Sequence, residues 1–154
     1  MKRLVLLLAL VLAGVAAVSP ASANAPAQHF TEDVIGDQFV CGSTVYTVTS
    51  GVIAITVHEG ASASGNENFT VTIVPHDVVL EDAAGSVFSI HGAEWIGGAF
   101  NAKTGAFVFT DTAHFNILSV GGGTVGTVHV TFHLSPNGKV VDLDFGTCVI
   151  VEGD

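Results

Sequence analysis

Two carboxylates stand out because the residue alternation around each of them points it toward an apolar face. Phe107, Phe109 and Phe115 share one parity, and Asp111 falls on it; Phe88 and Ile90 share another, and Glu94 continues it. If Asn101-Ala102-Lys103-Thr104-Gly105-Ala106 turns the chain as a hairpin, Glu94 faces Ala113 and Asp111 faces Ile96. The two acids then become diagonal neighbours among phenylalanines. A carboxyl removed from water holds its proton to higher pH, and two carboxyls with separated proton affinities can act as general acid and general base. The reaction that fits is an isomerisation or cyclisation of an apolar substrate. Two plainer readings stand beside it. A buried acid often only holds a structural hydrogen bond. A bulge at Gly92 or at Gly97-Gly98 would also reverse the parity, turning Trp95 inward and Glu94 outward.

All seven histidines follow residue 25 and offer metal chemistry as a second possibility. His129 and His133 are four residues apart. On a strand that is about 13 Å, too far for one ion to be held by both. The remaining combination is cross-strand. If Asn137-Gly138 forms a two-residue hairpin turn, His133 faces Asp142 and Thr131 faces Asp144, while His114 lies on the polar face of the preceding strand. His114, His133 and Asp142 have the ligand types of zinc or copper sites. The plainer reading is a solvated sheet face with His–Asp pairs across strands. Other chemistry is missing from the sequence: there is no GxSxG nucleophile elbow, and Gly121-Gly122-Gly123 lacks the lysine and helix of a phosphate-binding loop. No cofactor is expected.

The elements that must position these residues are strands. Val128, Val130, Phe132 and Leu134 alternate with polar residues; so do Val141, Leu143 and Phe145, and so do Phe69, Val71 and Ile73. Period-two alternation marks strands with one buried and one wet face. Turn residues separate the runs at Asp82 to Gly85, Asn101 to Gly105, Gly121 to Thr124 and Pro136 to Gly138, with a longer loop expected over Glu59 to Glu67. The run Thr44 to His58 exceeds one straight strand, which predicts a bulge or corner at Ser50-Gly51. About eight strands in meander order result, preceded by a polar leader over Asn24 to Asp37. So large an apolar face must be covered by the sheet itself, so the expected fold is all-β: a single antiparallel barrel, with a two-sheet sandwich as alternative.

The N-terminus reads as an export signal. Lys2-Arg3 is followed by an uncharged apolar run from Leu4 to Val18, then Pro20 and small residues that allow cleavage after Ala23 or Ala25. The run is shorter than the roughly 20 residues of a spanning helix. The expected organisation is a signal peptide over residues 1–25 and one domain over 26–154, secreted from a bacterial cell. Removing Lys2 and Arg3 takes the formal charge from −10 to −12. So acidic a surface repels phosphate backbones, which excludes nucleic acid as a partner, and no membrane span is expected in the mature chain. In an oxidising compartment Cys41 and Cys148, the only two cysteines, pair most simply with each other.

Cys41-Gly42, the Asn-Ala-Lys-Thr-Gly turn, the glycine-rich turn and the closing Asp144 to Cys148 stretch resemble small exported β-proteins of actinobacteria. These motifs are turns and cysteines, so the resemblance implies fold and export and carries no activity with it. The architecture is also distantly similar to lipocalin-like and allene-oxide-cyclase-like barrels. The function expected from these readings is non-catalytic: a barrel that binds a small apolar ligand or a protein partner. The alternatives are an enzyme built on Glu94 and Asp111, or a structural protein of the cell envelope.

Overall fold

The structure is a computed structural model that describes residues 26–145 and 148–151, with side chains described as far as Val140. The segment read as a signal peptide, and the Asp142 side chain, lie outside the described residues. Nine strands are present among the described residues: β1 (Gln28–Asp33), β2 (Gln38–Cys41), β3 (Thr44–Ala61), β4 (Glu67–Asp82), β5 (Val87–Asn101), β6 (Ala106–Ser119), β7 (Thr124–Leu134), β8 (Val140–Phe145) and β9 (Cys148–Val151). The described residues contain no helix.

All pairings are antiparallel and belong to one sheet, in the order β8-β7-β6-β5-β4-β3-β2-β9, with β1 beside β2 along the same edge of β3. Gln28–Asp33, expected as part of a polar leader, is a strand because the far half of β3 offers an unpaired edge to it. The connection between β1 and β2 is pinned to β3 by Gly36 N–H donating to Val48 O and Val48 N–H donating to Asp37 O, at 2.9 and 2.8 Å. The all-β class expected from the sequence is present, and the described strands are joined in one continuous hydrogen-bonded sheet. The ladder is also open: no pairing among the described residues joins β8 to β9, so a closed barrel is not what the hydrogen bonds form. The sheet is nonetheless curled, since β9 at one end comes beside β7, one strand from the other end.

Four hairpin loops share one construction. Ser62 to Asn66, Asp82 to Ser86, Ser119 to Gly123 and Ser135 to Lys139 each close with paired backbone hydrogen bonds around three residues. In each, the fourth residue is a glycine at positive φ: Gly65, Gly85, Gly122 and Gly138. This is the three-residue hairpin, a tight turn followed by one left-handed residue. The first residue supplies a side-chain acceptor or donor as well; Asp82 Oδ1 accepts from the N–H groups of Ala84 and Ser86, both at 2.9 Å. Pro136-Asn137-Gly138 is therefore not the two-residue turn expected, because Asn137 keeps negative φ and only Gly138 is left-handed. The loop expected over Glu59 to Glu67 is likewise reduced to residues 62–66, since β3 and β4 zip up to Ala61 and Glu67.

The corner expected at Ser50-Gly51 is present. The β3–β4 register shifts between Val48 and Ser50 and again between Ser50 and Val52, opposite Asp77, the one non-glycine residue at positive φ among the described residues. A side chain at Gly51 would strike the Val78 backbone, so the two irregular segments nest against each other. Beyond this corner the inward parity of β3 and β4 is reversed. Tyr46, Val48, Val78 and Leu80 on one side of it pack with Ile90, Phe115, Ile117 and Val128 in the buried core.

Candidate functional site

The β5–β6 register runs without a bulge from Phe88 opposite Ser119 to Asn101 opposite Ala106. Gly92 and Gly97-Gly98 therefore do not reverse the parity of β5; the irregularity lies across the ladder in β4, between Ile73 and Val79. Glu94 stands opposite Ala113 and Asp111 opposite Ile96, the register expected from the sequence. Trp95 points away, 52% exposed on the outer face.

Each acid is flanked on both sides by apolar residues in a row that crosses the sheet. Glu94 follows Ile55 and Ile73 and precedes Ala113 and Val130. Asp111 follows Val57, Val71 and Ile96 and precedes Phe132. On one side of the pair lies the buried core. On the other, Phe69, Phe107 and Phe132 surround Phe109 with ring centroids 5.9 to 6.5 Å from it. These rings are only partly buried, so this end of the inner face is accessible while the other is packed.

The electrostatics follow from that placement. Burial pushes the Glu94 carboxyl up to about 8, and the neighbouring Asp111 charge and a side-chain interaction with Asp111 add to the shift. Burial also raises Asp111, while the interaction with Glu94 opposes this and lowers it. At neutral pH Glu94 therefore holds its proton, beside the Asp111 carboxyl. Asp111 Oδ1 is buried and has no hydrogen-bond partner. An unpartnered buried carboxylate oxygen costs on the order of 1–3 kcal/mol, which a donor brought to it would offset.

The histidines are distributed along the outer face. His133 is opposite Thr110 and its Nδ1 lies 2.8 Å from Thr110 Oγ1, while its other register partner is Asp142, as the sequence implied. His114 is opposite His129, with ring centroids 5.9 Å apart at 70°. That places His114 four residues along β6 from the Thr110–His133 pair, roughly 13 Å away, and the two histidines do not converge. Among the described residues no group of three or more metal-type ligands is assembled. Cys41 and Cys148 are register partners on β2 and β9.

Sequence reasoning passed over the outer face of β4, β5 and β6. Thr72, Trp95 and Thr112 form one row there, and Thr70, Gly97 and Thr110 the next. The Thr-x-Thr repeats at 70–72 and 110–112 were the available signal. No helix among the described residues is long and apolar enough to cross a membrane. No protein-family model, curated protein or solved structure matches this chain.

Proposed function

We propose that this chain is an exported, non-catalytic binding protein whose curled sheet forms a partly open barrel around a small apolar ligand. The ligand lies against the partly buried phenylalanines at the accessible end of the inner face. It carries one hydrogen-bond donor, a hydroxyl or amine, which meets the Asp111 carboxylate. The observation that carries this reading is the unpartnered, buried Asp111 Oδ1 beside a protonated Glu94, each acid flanked by apolar residues. Such sites are typically apolar with a few placed polar groups that fix orientation. A covalent bridge between Cys41 and Cys148 would tie β9 to the sheet and hold the curl.

A neutral arylamine such as N-phenyl-1-naphthylamine tests this, because it pairs an apolar body with one N–H donor and brightens on leaving water. Saturable brightening with mature protein is expected, and weaker binding by about tenfold in Asp111→Asn, since each tenfold is 1.4 kcal/mol. No saturable binding, together with a native mass equal to that of the bare chain, would overturn the reading.

The raised Glu94 carboxyl beside Asp111 favours one second reading, an isomerase or cyclase that uses the two acids as general acid and base. Turnover lost in Glu94→Gln and Asp111→Asn while binding survives would support the enzyme. Binding without turnover in any form would support the binder.

A further inference from the structure

The outer face of the central strands contains a groove of about 240 Å³ beside Trp95, independent of the inner acid pair. Its side walls are Thr70 and Thr72 from β4 and Thr110 and Thr112 from β6, and its floor is Gly97. None of the residues that line it is charged.

Gly97 is the informative residue. A glycine in mid-strand costs stability, so a physical reason for it is expected. Its neighbour Gly98 has one: a side chain there would collide with the ring of Phe69. Gly97 has none of the usual reasons. Its φ is not in the left-handed region, and an added Cβ would meet only Phe69 O at 3.8 Å and Thr70 Cγ2 at 3.9 Å, which is ordinary contact. The fold would accept a β-branched residue at this position, which favours strands and would fill the groove. What glycine preserves is the open floor next to an exposed indole. Glycine in a strand marks places where a ligand approaches the backbone closely.

The lining specifies the ligand. An exposed indole offers a flat apolar surface with a polar edge. Threonine hydroxyls both donate and accept hydrogen bonds and carry no charge. Flanking strands put Thr72 and Thr112 about 9.5 Å apart, with Trp95 midway between them. A flat ring with C–H groups on its faces and hydroxyls around its rim matches a surface that is apolar in the centre and hydroxylated on both sides. We infer that Trp95, Gly97 and the four threonines form a binding site for a neutral sugar ring, stacked on the indole with its hydroxyls on the threonines. The formal charge of −10 for the whole chain disfavours an anionic polysaccharide.

Trp95 is the only tryptophan in the chain, so its emission reports on this site alone. Mature protein would be titrated with cellotetraose, maltotetraose and N-acetylated chitotetraose, with saturation-transfer NMR on the sugar as a second readout. A saturable emission change for at least one of them is expected, with a Kd of about 1 mM or tighter. Gly97→Val should leave the melting temperature unchanged or higher, yet weaken binding by at least about tenfold by filling the floor. Should that variant fail to fold, Trp95→Ala read by saturation-transfer NMR replaces it and should lose the signal. The inference is overturned if none of the three sugars produces either signal, or if a folded Gly97→Val, or otherwise Trp95→Ala, binds as the parent does. Trp95 emission that shifts with protein concentration and not with sugar would assign the face to a second copy of the chain and overturn it equally.

Discussion

At the scale of single residues, the inner face is defined by one inconsistency: two acids occupy positions flanked along their rows by apolar side chains, Ile73 and Ala113 beside Glu94 and Ile96 and Phe132 beside Asp111. Glu94 relieves part of the conflict by keeping its proton at neutral pH. This arrangement has a consequence for stability. Glu94 has a folded value of about 8 against an ordinary 4.5, so the native state binds the proton more tightly than the unfolded chain. Its contribution is fully present below about pH 4.5 and is lost as pH rises through 8. Glu94→Gln, which cannot ionise, should therefore flatten the fall in stability between pH 4.5 and 8 and be the more stable protein at pH 8.5. The difference should be on the order of 5 kcal/mol. Urea midpoints of the two proteins across pH 4 to 9 measure it; parallel curves would show that Glu94 titrates normally.

At the scale of elements, glycines separate into positions the backbone demands and positions it does not. Gly85 adopts φ +79° in its hairpin with no heavy atom closer than 3.8 Å to an added Cβ, so Gly85→Ala should cost about 1 kcal/mol from backbone strain alone. Gly92 is different, because its φ is +144° and an added Cβ would run into the His114 carbonyl and the Phe115 backbone on β6. Gly92→Ala should cost more than about 3 kcal/mol, since the β5–β6 ladder must part to admit the methyl group. Urea denaturation, compared at equal m-value, ranks the two. A Gly92 variant no weaker than the Gly85 variant would mean that the strands there have room to shift. The same ranking places Gly97 last, with no expected cost.

At the scale of the whole molecule, one sheet must cover its own apolar face, and the two ends of the ladder are where that can fail. β2 and β9 are four residues each, and β9 meets the sheet through β2 and an approach to β7. Directly opposed residues on antiparallel strands have Cα atoms about 4.5–5.5 Å apart, within the range a disulfide spans. The register of Cys41 and Cys148 thus suits a bridge that closes a loop of roughly 100 residues, worth about 4.7 kcal/mol in the chain-entropy account. The mature protein should weigh two hydrogens less than its reduced form, and the double variant Cys41→Ser, Cys148→Ser should melt well below the parent. An intact mass that matches two free thiols would remove the bridge.

The sequence by itself determined most of the strands, their inward parity along β5 and β6, the corner at Gly51 and the facing of Glu94 and Asp111. These follow from local rules: alternation has a period of two, and a turn of known length sets the register of the strands it joins. The turns at Asp82 to Gly85, Gly121 to Thr124 and Pro136 to Gly138 were equally legible, but the last is a three-residue loop, and His133 meets Asp142 only because an irregularity between His133 and Leu134 offsets it. What only the tertiary structure decided depends on contacts between distant strands. The pairing of Gln28–Asp33 with β3 needed an edge that no local pattern announces. The compensating bulge at Asp77 is imposed by the corner in β3, because two neighbouring strands must bend together. The separation of His114 from His133 came from the register of β6 on β7, set by the glycine-rich turn and the irregularity beside it. The open ladder and the row of threonines around Trp95 also appear only once strands remote in sequence lie side by side. The physical reason is common to all of these: alternation says which way a side chain points, and only strand pairing says what it points beside.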